Sequence, residues 1–393
     1  MNLSAVLHEH LGFLPEMVLM ILAGLIPAIL VVLAVVTPVG LLGVWAERRV
    51  SGKIQDRVGP NRVGISIGFL KHHLWGLGQS VADGLKLLGK EDFVPPGGEK
   101  FLFLIAPLIV FGGSLALFAV LPFSDGLQGC DPNMGVFYVL SVGSIEVIGV
   151  LMAGWASNNK WSLLGAMREV AQVVSYEIPM GIAALCPVLI TGSLQISKIV
   201  DAQTHGMSLW GLAHIPAGEW VLGWNVFAVF PLGLIAFVIF YICVLANLKR
   251  APFDLPECES ELVAGFMTEY SGMRWGLFFL GEYAAMFALS GITTVLFLGG
   301  WTGPFHAMLS GWSGIHIPLG ETNALDITGS MIGGIVEFSW KTLLLFVLMI
   351  WIRWTLPRLR LDQVMSLCYK YLIPFSMLCM LGFAMVAAFS GGN

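Results

Sequence analysis

Residues 101–121 read FLFLIAPLIVFGGSLALFAVL, a run of 21 residues without a charged side chain. About 20 apolar residues in a helix cross the hydrocarbon core of a bilayer, so this run predicts a membrane-spanning helix. The whole chain is 57% hydrophobic and only 11% charged. Because one water-soluble core cannot hide that much apolar surface, we expect lipid to surround most of the chain.

Similar apolar runs recur along all 393 residues. They cover residues 17–44, 101–121, 136–156, 170–190, 226–246, 275–297, 332–352 and 371–389. We therefore predict an all-α, polytopic membrane protein with eight transmembrane helices, forming a single transmembrane domain over residues 1–393. The first run is too long for the core of a signal peptide and leads into a charged loop, so we interpret it as a retained span.

The distribution of basic residues predicts the orientation of these spans. Of the 20 Lys and Arg residues, 18 fall in four segments, residues 46–100, 157–168, 248–275 and 353–370. With eight spans these segments lie on one face, which the positive-inside rule makes cytoplasmic, and both termini then lie outside. The long cytoplasmic segment also predicts an amphipathic helix at the membrane surface over residues 79–90, where Val81, Leu85 and Leu88 recur at helical spacing.

The six cysteines argue against a redox centre in this chain. They include no C-x-x-C pair and share no metal-ligand spacing with a histidine, so we predict no iron-sulfur cluster, haem or zinc. The chain also lacks a G-x-G-x-x-G motif in a βαβ setting. Any nicotinamide chemistry would therefore belong to a partner.

Carboxylates within the spans are the main functional signal, because each costs about 3 kcal/mol to insert. Four lie within spans or at their ends: Glu146, Glu177, Glu282 and Glu337. Lys341 stands four residues after Glu337, which predicts a structural ion pair near the outer face. Glu146 has no charged neighbour within a helical turn, so burial should favour its protonated form. A proton path and a structural hydrogen bond both remain open for Glu146.

Glu177 shares its span with other polar side chains. Arg168, Gln172 and Tyr176 lie on the same predicted helix and interrupt its apolar surface. This polar stripe favours a proton or ion path through Glu177.

A dense acidic cluster follows the fifth span. It consists of Asp254, Glu257, Glu259 and Glu261. Carboxylates this close repel one another, so some should titrate above their usual range and could relay protons. An acidic surface loop is the alternative, but the position between two spans and the following Glu282 favour the relay.

Several motifs resemble a known family. They are Glu47-Arg48-Arg49, the stretch 55–64 (QDRVGPNRVG), residues 154–158 (GWASN) leading to Arg168 and residues 175–177 (SYE), residues 250–254 (RAPFD) with 261–265 (ELVAG), and residues 355–363 (TLPRLRLDQ). The chain resembles the H subunit of the proton-pumping NADH:quinone oxidoreductase, or respiratory complex I, and its mitochondrial counterpart. The resemblance extends from the first span to the last.

This resemblance implies an enzyme subunit of a translocase. Its eight helices, one of them tilted, would enclose a chamber that admits a lipid quinone from the bilayer. By the resemblance, the chamber or its entrance would be lined by Glu47, Arg48, Arg57, Arg62, Asp83, Lys86 and Glu91. Guanidinium groups there could donate hydrogen bonds to the quinone headgroup, while apolar walls hold its isoprenoid tail.

The resemblance also implies a relay that couples quinone reduction to proton translocation. Its members would be Glu177, Arg168, Tyr176, Asp254, Glu257, Glu259, Glu261, Glu282 and Glu146. The chain departs from the family at Asn247, where a glutamate is usual. Either the relay bypasses this position through water or Glu146, or this protein pumps differently.

The resemblance further implies which cofactors and partners surround the chain. This chain would bind no cofactor and take quinone as its substrate, while the flavin mononucleotide and iron-sulfur clusters would lie in partner subunits. The partners would be the iron-sulfur subunit at the quinone site and the small and antiporter-like membrane subunits, without nucleic acid, in a bacterial inner membrane. The sequence leaves three questions open: whether the quinone is ubiquinone or menaquinone, whether protons or sodium ions move, and whether the electron donor is NADH or another carrier.

Two other classes compete with this interpretation. A related subunit of a membrane-bound hydrogenase would keep the proton path but lack a quinone substrate. A stand-alone ion-coupled transporter would use the buried glutamates as ion sites. The first-loop and Pro-Phe-Asp motifs favour complex I, and no internal repeat suggests a transporter.

Overall fold

The computed structural model describes residues 35–61, 63, 76–204, 208–209, 213–214, 223–256, 259–309, 315–318 and 324–390. Its helices are α1 (Thr37–Ile54), α2 (Gly78–Gly89), α3 (Lys100–Phe118), α4 (Gly135–Ala156), α5 (Lys160–Thr191), α6 (Ile196–Thr204), α7 (Asn225–Ala228), α8 (Leu232–Asn247), α9 (Glu259–Leu262), α10 (Gly272–Phe297), α11 (Pro304–Leu309), α12 (Gly329–Thr355), α13 (Leu361–Leu367) and α14 (Ile373–Ser390). A π-helical turn (Cys368–Leu372) joins α13 to α14, and a 3-10 turn (Gly265–Met267) precedes α10.

The all-α prediction holds apart from two short antiparallel hairpins between helices. The first pairs β1 (Ser208–Leu209) with β2 (Ala213–His214), and the second pairs β3 (Ile315–Pro318) with β4 (Ala324–Ile327). Both lie in connecting segments, so helices alone form the spans.

Six helical stretches of the described chain are long and apolar enough to cross a membrane. They are α3, α4, α5, α10, α12 and the continuous stretch Leu361–Phe389. The predicted amphipathic helix is confirmed as α2, whose Val81, Leu85 and Leu88 are exposed. Most of the predicted first span, residues 17–34, lies outside the described residues. The helix α1 covers the end of that span and extends beyond it to Ile54.

The predicted span 226–246 is interrupted near its start. A single turn, α7, is followed by Pro231, and the apolar helix α8 begins only at Leu232, giving 16 residues. Proline has no backbone N–H to continue a helix and restricts the residue before it. Hydropathy alone does not register that break.

The helix α10 lies at the centre of the bundle. In its apolar window 89% of residues are buried, against 33 to 50% in the other five candidate spans. Small residues allow close packing here, since a Cβ on Gly291 would come within 2.8 Å of Leu121 Cδ1. The other spans leave part of their surface exposed, whereas α10 is largely surrounded by the rest of the chain.

The longest helix, α5, is longer than one bilayer crossing requires. Just before its 32 residues, the Asn159 side chain accepts from the Trp161 N–H at 3.0 Å, and Gly192, with a φ of 67°, follows its last residue. At 1.5 Å per residue it is about 48 Å long, compared with a hydrocarbon core of about 30 Å. It must therefore tilt or project from the membrane.

Two loops meet at one end of the bundle and position the candidate site. The loop after α8 contacts the loop after α12, where the Leu359 N–H donates to the Pro252 carbonyl at 3.0 Å. The charged ends of α1, α8 and α12 converge on the first half of α10 at this place.

Candidate functional site

A cavity of about 330 Å³ lies between α1, α2 and the first half of α10. Its walls are mostly apolar, with Leu41, Leu87 and Phe279 among them. Its polar edge contains Arg48 and Asp83, which form a salt bridge at 2.5 Å. This combination of apolar walls and a few polar groups is typical of sites for small amphipathic molecules.

A second, polar opening adjoins this cavity. It measures about 700 Å³ and is lined by Arg48, Arg57, residues 58–61 and Gln79. Arg57 Nε donates to Gln55 Oε1 at 2.7 Å, which orients the guanidinium. Because Arg48 lines both spaces, the two openings share one cationic edge.

The structure brings together most of the residues predicted to line the chamber. Arg48, Asp83 and Lys86 line the apolar cavity, and Arg57 lines the polar opening. Glu47 lines neither, because adjacent helical residues point about 100° apart and Glu47 turns into the protein interior.

Three other predicted residues differ from this set. Glu91 follows the end of α2, and its backbone carbonyl accepts from Ser271 Oγ at 3.3 Å, outside the cavity lining. Arg62, predicted for the chamber, and Glu257, predicted for the relay, lie outside the described residues.

Behind the cavity lies a buried cluster of paired charges. Glu47 accepts hydrogen bonds from Arg353 and from the Tyr283 hydroxyl, and it pairs with Arg250 at 3.3 Å. Arg250 also contacts Glu282 at 3.6 Å and lies 4.8 Å from the centre of the Tyr283 ring. Buried charges of this kind persist only with such partners.

Lys249 is the centre of a second buried cluster. Its ammonium pairs with Glu169 and lies 3.1 Å from Glu146. Burial alone would lower the pKa of Lys249, but Glu169 and Glu146 raise it well above the usual range. Glu146 therefore has a charged partner from another segment, which the spacing along its own helix could not show.

Sequence reasoning missed Glu169, Lys249, Arg250 and Arg353 as members of these clusters. Lys249 and Arg353 were counted only as markers of the cytoplasmic side, Arg250 was also part of a family motif, and Glu169 was not considered. The available signal was a carboxylate within an apolar helix, together with two consecutive basic residues directly after another helix.

The polar stripe on α5 is present but does not serve Glu177. Arg168 pairs with Glu261 at 2.6 Å, and Gln172 donates to two backbone carbonyls at the end of α8 and in its loop, at 2.7 and 2.9 Å. The Tyr176 hydroxyl donates to a carbonyl of α13 at 2.8 Å. This face of the helix joins α5 to neighbouring segments.

Glu177 lies on a different face and has a different partner. It accepts a hydrogen bond from Ser144 Oγ at 2.9 Å, on the neighbouring helix α4. The prediction that Glu177 shares a polar stripe with Tyr176 is therefore wrong, because adjacent residues of a helix point about 100° apart.

Two carboxylates of the acidic cluster after α8 pair with arginines from other segments. Asp254 pairs with Arg358 at 3.0 Å. The hydrogen bond and charge of Arg168 lower the pKa of Glu261 below its usual range. Glu261 is therefore not among the carboxylates expected to titrate above their usual range, because sequence spacing shows the repelling neighbours but not the pairing cation.

The predicted pair of Glu337 and Lys341 is confirmed at 3.2 Å. Its surroundings differ from the prediction, because the side chains are 0% and 1% exposed. The segment of residues 298–302 covers Lys341 and accepts its hydrogen bonds. Among the residues that the structure describes, no group of three or more His, Cys, Asp or Glu side chains could hold a metal ion.

Comparisons with known proteins give a consistent result. A profile of the family described as NADH dehydrogenase matches residues 26–384. The chain is 44% identical to the H subunit of NADH-quinone oxidoreductase from Chlorobaculum parvum over 361 residues, covering 91% of this chain and 90% of that protein. It is 40% identical to the corresponding H subunit from Bacteroides fragilis over 391 residues, covering 99% of this chain and 95% of that protein.

Proposed function

The chain belongs to the NADH dehydrogenase family, among the H subunits of NADH-quinone oxidoreductase, and we propose that it holds the quinone for that enzyme complex. The apolar cavity between α1, α2 and α10 is the place for the headgroup and the first part of the tail. Other subunits of the complex are its partners. The flavin and iron-sulfur clusters that carry electrons belong to those partners.

The contact of Tyr283 with Glu47 is the observation that supports this proposal best. Tyr283 lines the cavity, and its hydroxyl donates a hydrogen bond to the buried carboxylate of Glu47. Glu47 in turn pairs with Arg250, which contacts Glu282. A change of charge in the cavity therefore has an electrostatic route into the centre of the bundle.

The cavity chemistry fits a quinone. Each carbonyl oxygen of a quinone gains an electron and a proton on reduction, and negative charge develops there between the two events. Arg48 and Lys86 at the cavity edge can donate hydrogen bonds to such an oxygen. Arg48 pairs with Asp83 at 2.5 Å. When the quinone oxygen becomes charged, Arg48 can exchange the Asp83 carboxylate for that oxygen.

The proposal includes coupling to proton translocation. The relay comprises Glu177, Arg168, Tyr176, Asp254, Glu257, Glu259, Glu261, Glu282 and Glu146. Ion pairs that join some of these groups to other segments, such as Arg168 with Glu261 and Arg250 with Glu282, would shift when the charge of Glu47 changes. The chain would form one domain of eight membrane helices in the bacterial inner membrane, with its four basic segments cytoplasmic.

The experiment compares neighbouring arginines of α1 and its following loop. We expect Arg48→Ala and Arg57→Ala to lower quinone-dependent NADH oxidation by the assembled complex, because both line the openings. Reduction of ferricyanide, an artificial acceptor that takes electrons upstream, should continue at the parent rate.

Arg49→Ala is the matched control. Arg49 stands on the same helix, 5.7 Å from the centre of the Trp45 ring, and is absent from the lining of both openings. If ferricyanide reduction fell together with quinone reduction in the Arg48 and Arg57 variants, the residues would serve assembly and the quinone site would lie elsewhere.

A further inference from the structure

Lys249 is held in an unusual position at the end of α8. Its backbone φ is 56°, a left-handed conformation that is unfavourable for a residue with a Cβ. The turn directs the side chain inward, where only 3% of it is exposed. Contacts with the flanking carboxylates on α4 and α5 maintain this position.

We propose that Glu146, Lys249 and Glu169 form a proton-transfer site in which Lys249 passes a proton from one carboxylate to the other. This inference rests on the proposed function, because proton translocation supplies and removes the proton. Neither Lys249 nor Glu169 belongs to the relay proposed from sequence. The juxtaposition of one buried ammonium between two carboxylates is what carries the inference.

The transfer balances in two steps. A proton reaches Glu146, whose side chain is 18% exposed while Glu169 is 1% exposed. Lys249 then gives one proton of its ammonium to the Glu169 carboxylate and becomes a neutral amine. The protonated Glu146 next gives its proton to that amine, which restores the ammonium and leaves the proton on Glu169.

The charges around Lys249 make this transfer conditional. The carboxylates hold the ammonium proton firmly and keep the pKa of Lys249 well above its usual range, although burial opposes this. When Glu146 takes up a proton, one of these attractions disappears and the ammonium proton becomes easier to release. The lysine therefore transfers a proton only after another has arrived.

The other groups that face Lys249 connect it to the cavity. Glu282 on α10 adds to its electrostatic stabilisation, and the Phe266 ring lies 5.3 Å away as an apolar wall. Glu282 also contacts Arg250, the partner of Glu47. A shift of the Arg250 pairs during quinone reduction would change the field at Lys249.

The first test exchanges lysine for arginine and for methionine. Arginine keeps the positive charge and both ion pairs but does not release its proton, whereas methionine removes the charge. We expect Lys249→Arg and Lys249→Met complexes to lose quinone-linked proton uptake in membrane vesicles while ferricyanide reduction is unchanged. If Lys249→Arg pumps like the parent, Lys249 is a structural charge and the inference is wrong.

A second variant decides the matter if the larger guanidinium prevents assembly. Glu169→Gln keeps the size of the side chain but removes the proton acceptor. Glu169→Gln should lose quinone-linked proton uptake. It should also lose a protonated-carboxyl band that the parent complex shows, without quinone, in the infrared difference spectrum between two pH values. Glu269→Gln is the control that should retain both, since Glu269 accepts from Asn159 Nδ2 at 2.8 Å and an amide oxygen can do the same.

The infrared band separates this inference from the proposed function. If the parent complex shows no quinone-linked turnover, but its infrared band disappears in Glu169→Gln, the proposed function is wrong and the proton-transfer site is still supported. Normal turnover with an unchanged band and unchanged proton uptake in Glu169→Gln would overturn the site and leave the function.

Discussion

The buried ion pair of α12 allows a prediction with a definite magnitude, for the variant Glu337→Gln. Glu337 and Lys341 lie 3.2 Å apart with side chains 0% and 1% exposed. The ammonium also donates to the carbonyls of Leu298 and Thr302 at 2.8 and 2.7 Å, and Glu337 Oε2 accepts from the Phe305 N–H at 3.2 Å. Water therefore has no ready access to replace a lost partner.

Removing one charge of a buried pair costs about 3 to 5 kcal/mol, whereas an exposed pair contributes about 0 to 1 kcal/mol. Glutamine can keep the bond from the Phe305 N–H, and backbone carbonyls still surround the ammonium of Lys341. We therefore expect Glu337→Gln to cost about 3 kcal/mol, at the lower end of that range. The double variant Glu337→Gln with Lys341→Met should recover part of the loss, because no buried charge remains.

The assay is the heat stability of the solubilised complex, followed by retention of this subunit on native gels. Asp92→Asn is the matched control, since Asp92 pairs with Arg274 at 2.9 Å but the side chains are 33% and 21% exposed. A loss of about 3 kcal/mol corresponds to roughly 100-fold in the equilibrium between intact and dissociated states. The reasoning is refuted if Glu337→Gln is no more costly than Asp92→Asn.

Three further variants test other parts of the structure. Glu177→Gln should assemble but stop or uncouple quinone-linked turnover, and parent-like proton uptake would rule out a route through Glu177. Gly43→Val should lower quinone reduction but not ferricyanide reduction, because a Cβ there lies 2.7 Å from the Tyr283 ring and would displace it. The Arg168 pair keeps the pKa of Glu261 low, so its stabilisation should be present at neutral pH and disappear as pH falls through that lowered pKa. Heat stability against pH should therefore fall less steeply on the acid side in Glu261→Gln.

The membrane class, most span boundaries, the amphipathic helix and the family motifs all follow from local stretches of the sequence. The physical reason is that lipid imposes one length and one composition on each crossing, and residues 101–121 satisfy both without reference to any other segment. The amphipathic helix α2 is equally local, because its pattern repeats with the helical period. The Glu337 and Lys341 pair was found for the same reason, since its partners are four residues apart.

Which charges meet could be read only from the packing of the helices. Glu146 finds Lys249 103 residues away, and Glu47 finds Arg353 306 residues away. Helical spacing reveals neighbours on the same helix, but a buried charge is stabilised by whichever helix or loop packs against it. For that reason the sequence revealed most carboxylates of the candidate site but not Glu169, while the packing of α4, α5 and α10 around the loops decided which cations pair with them.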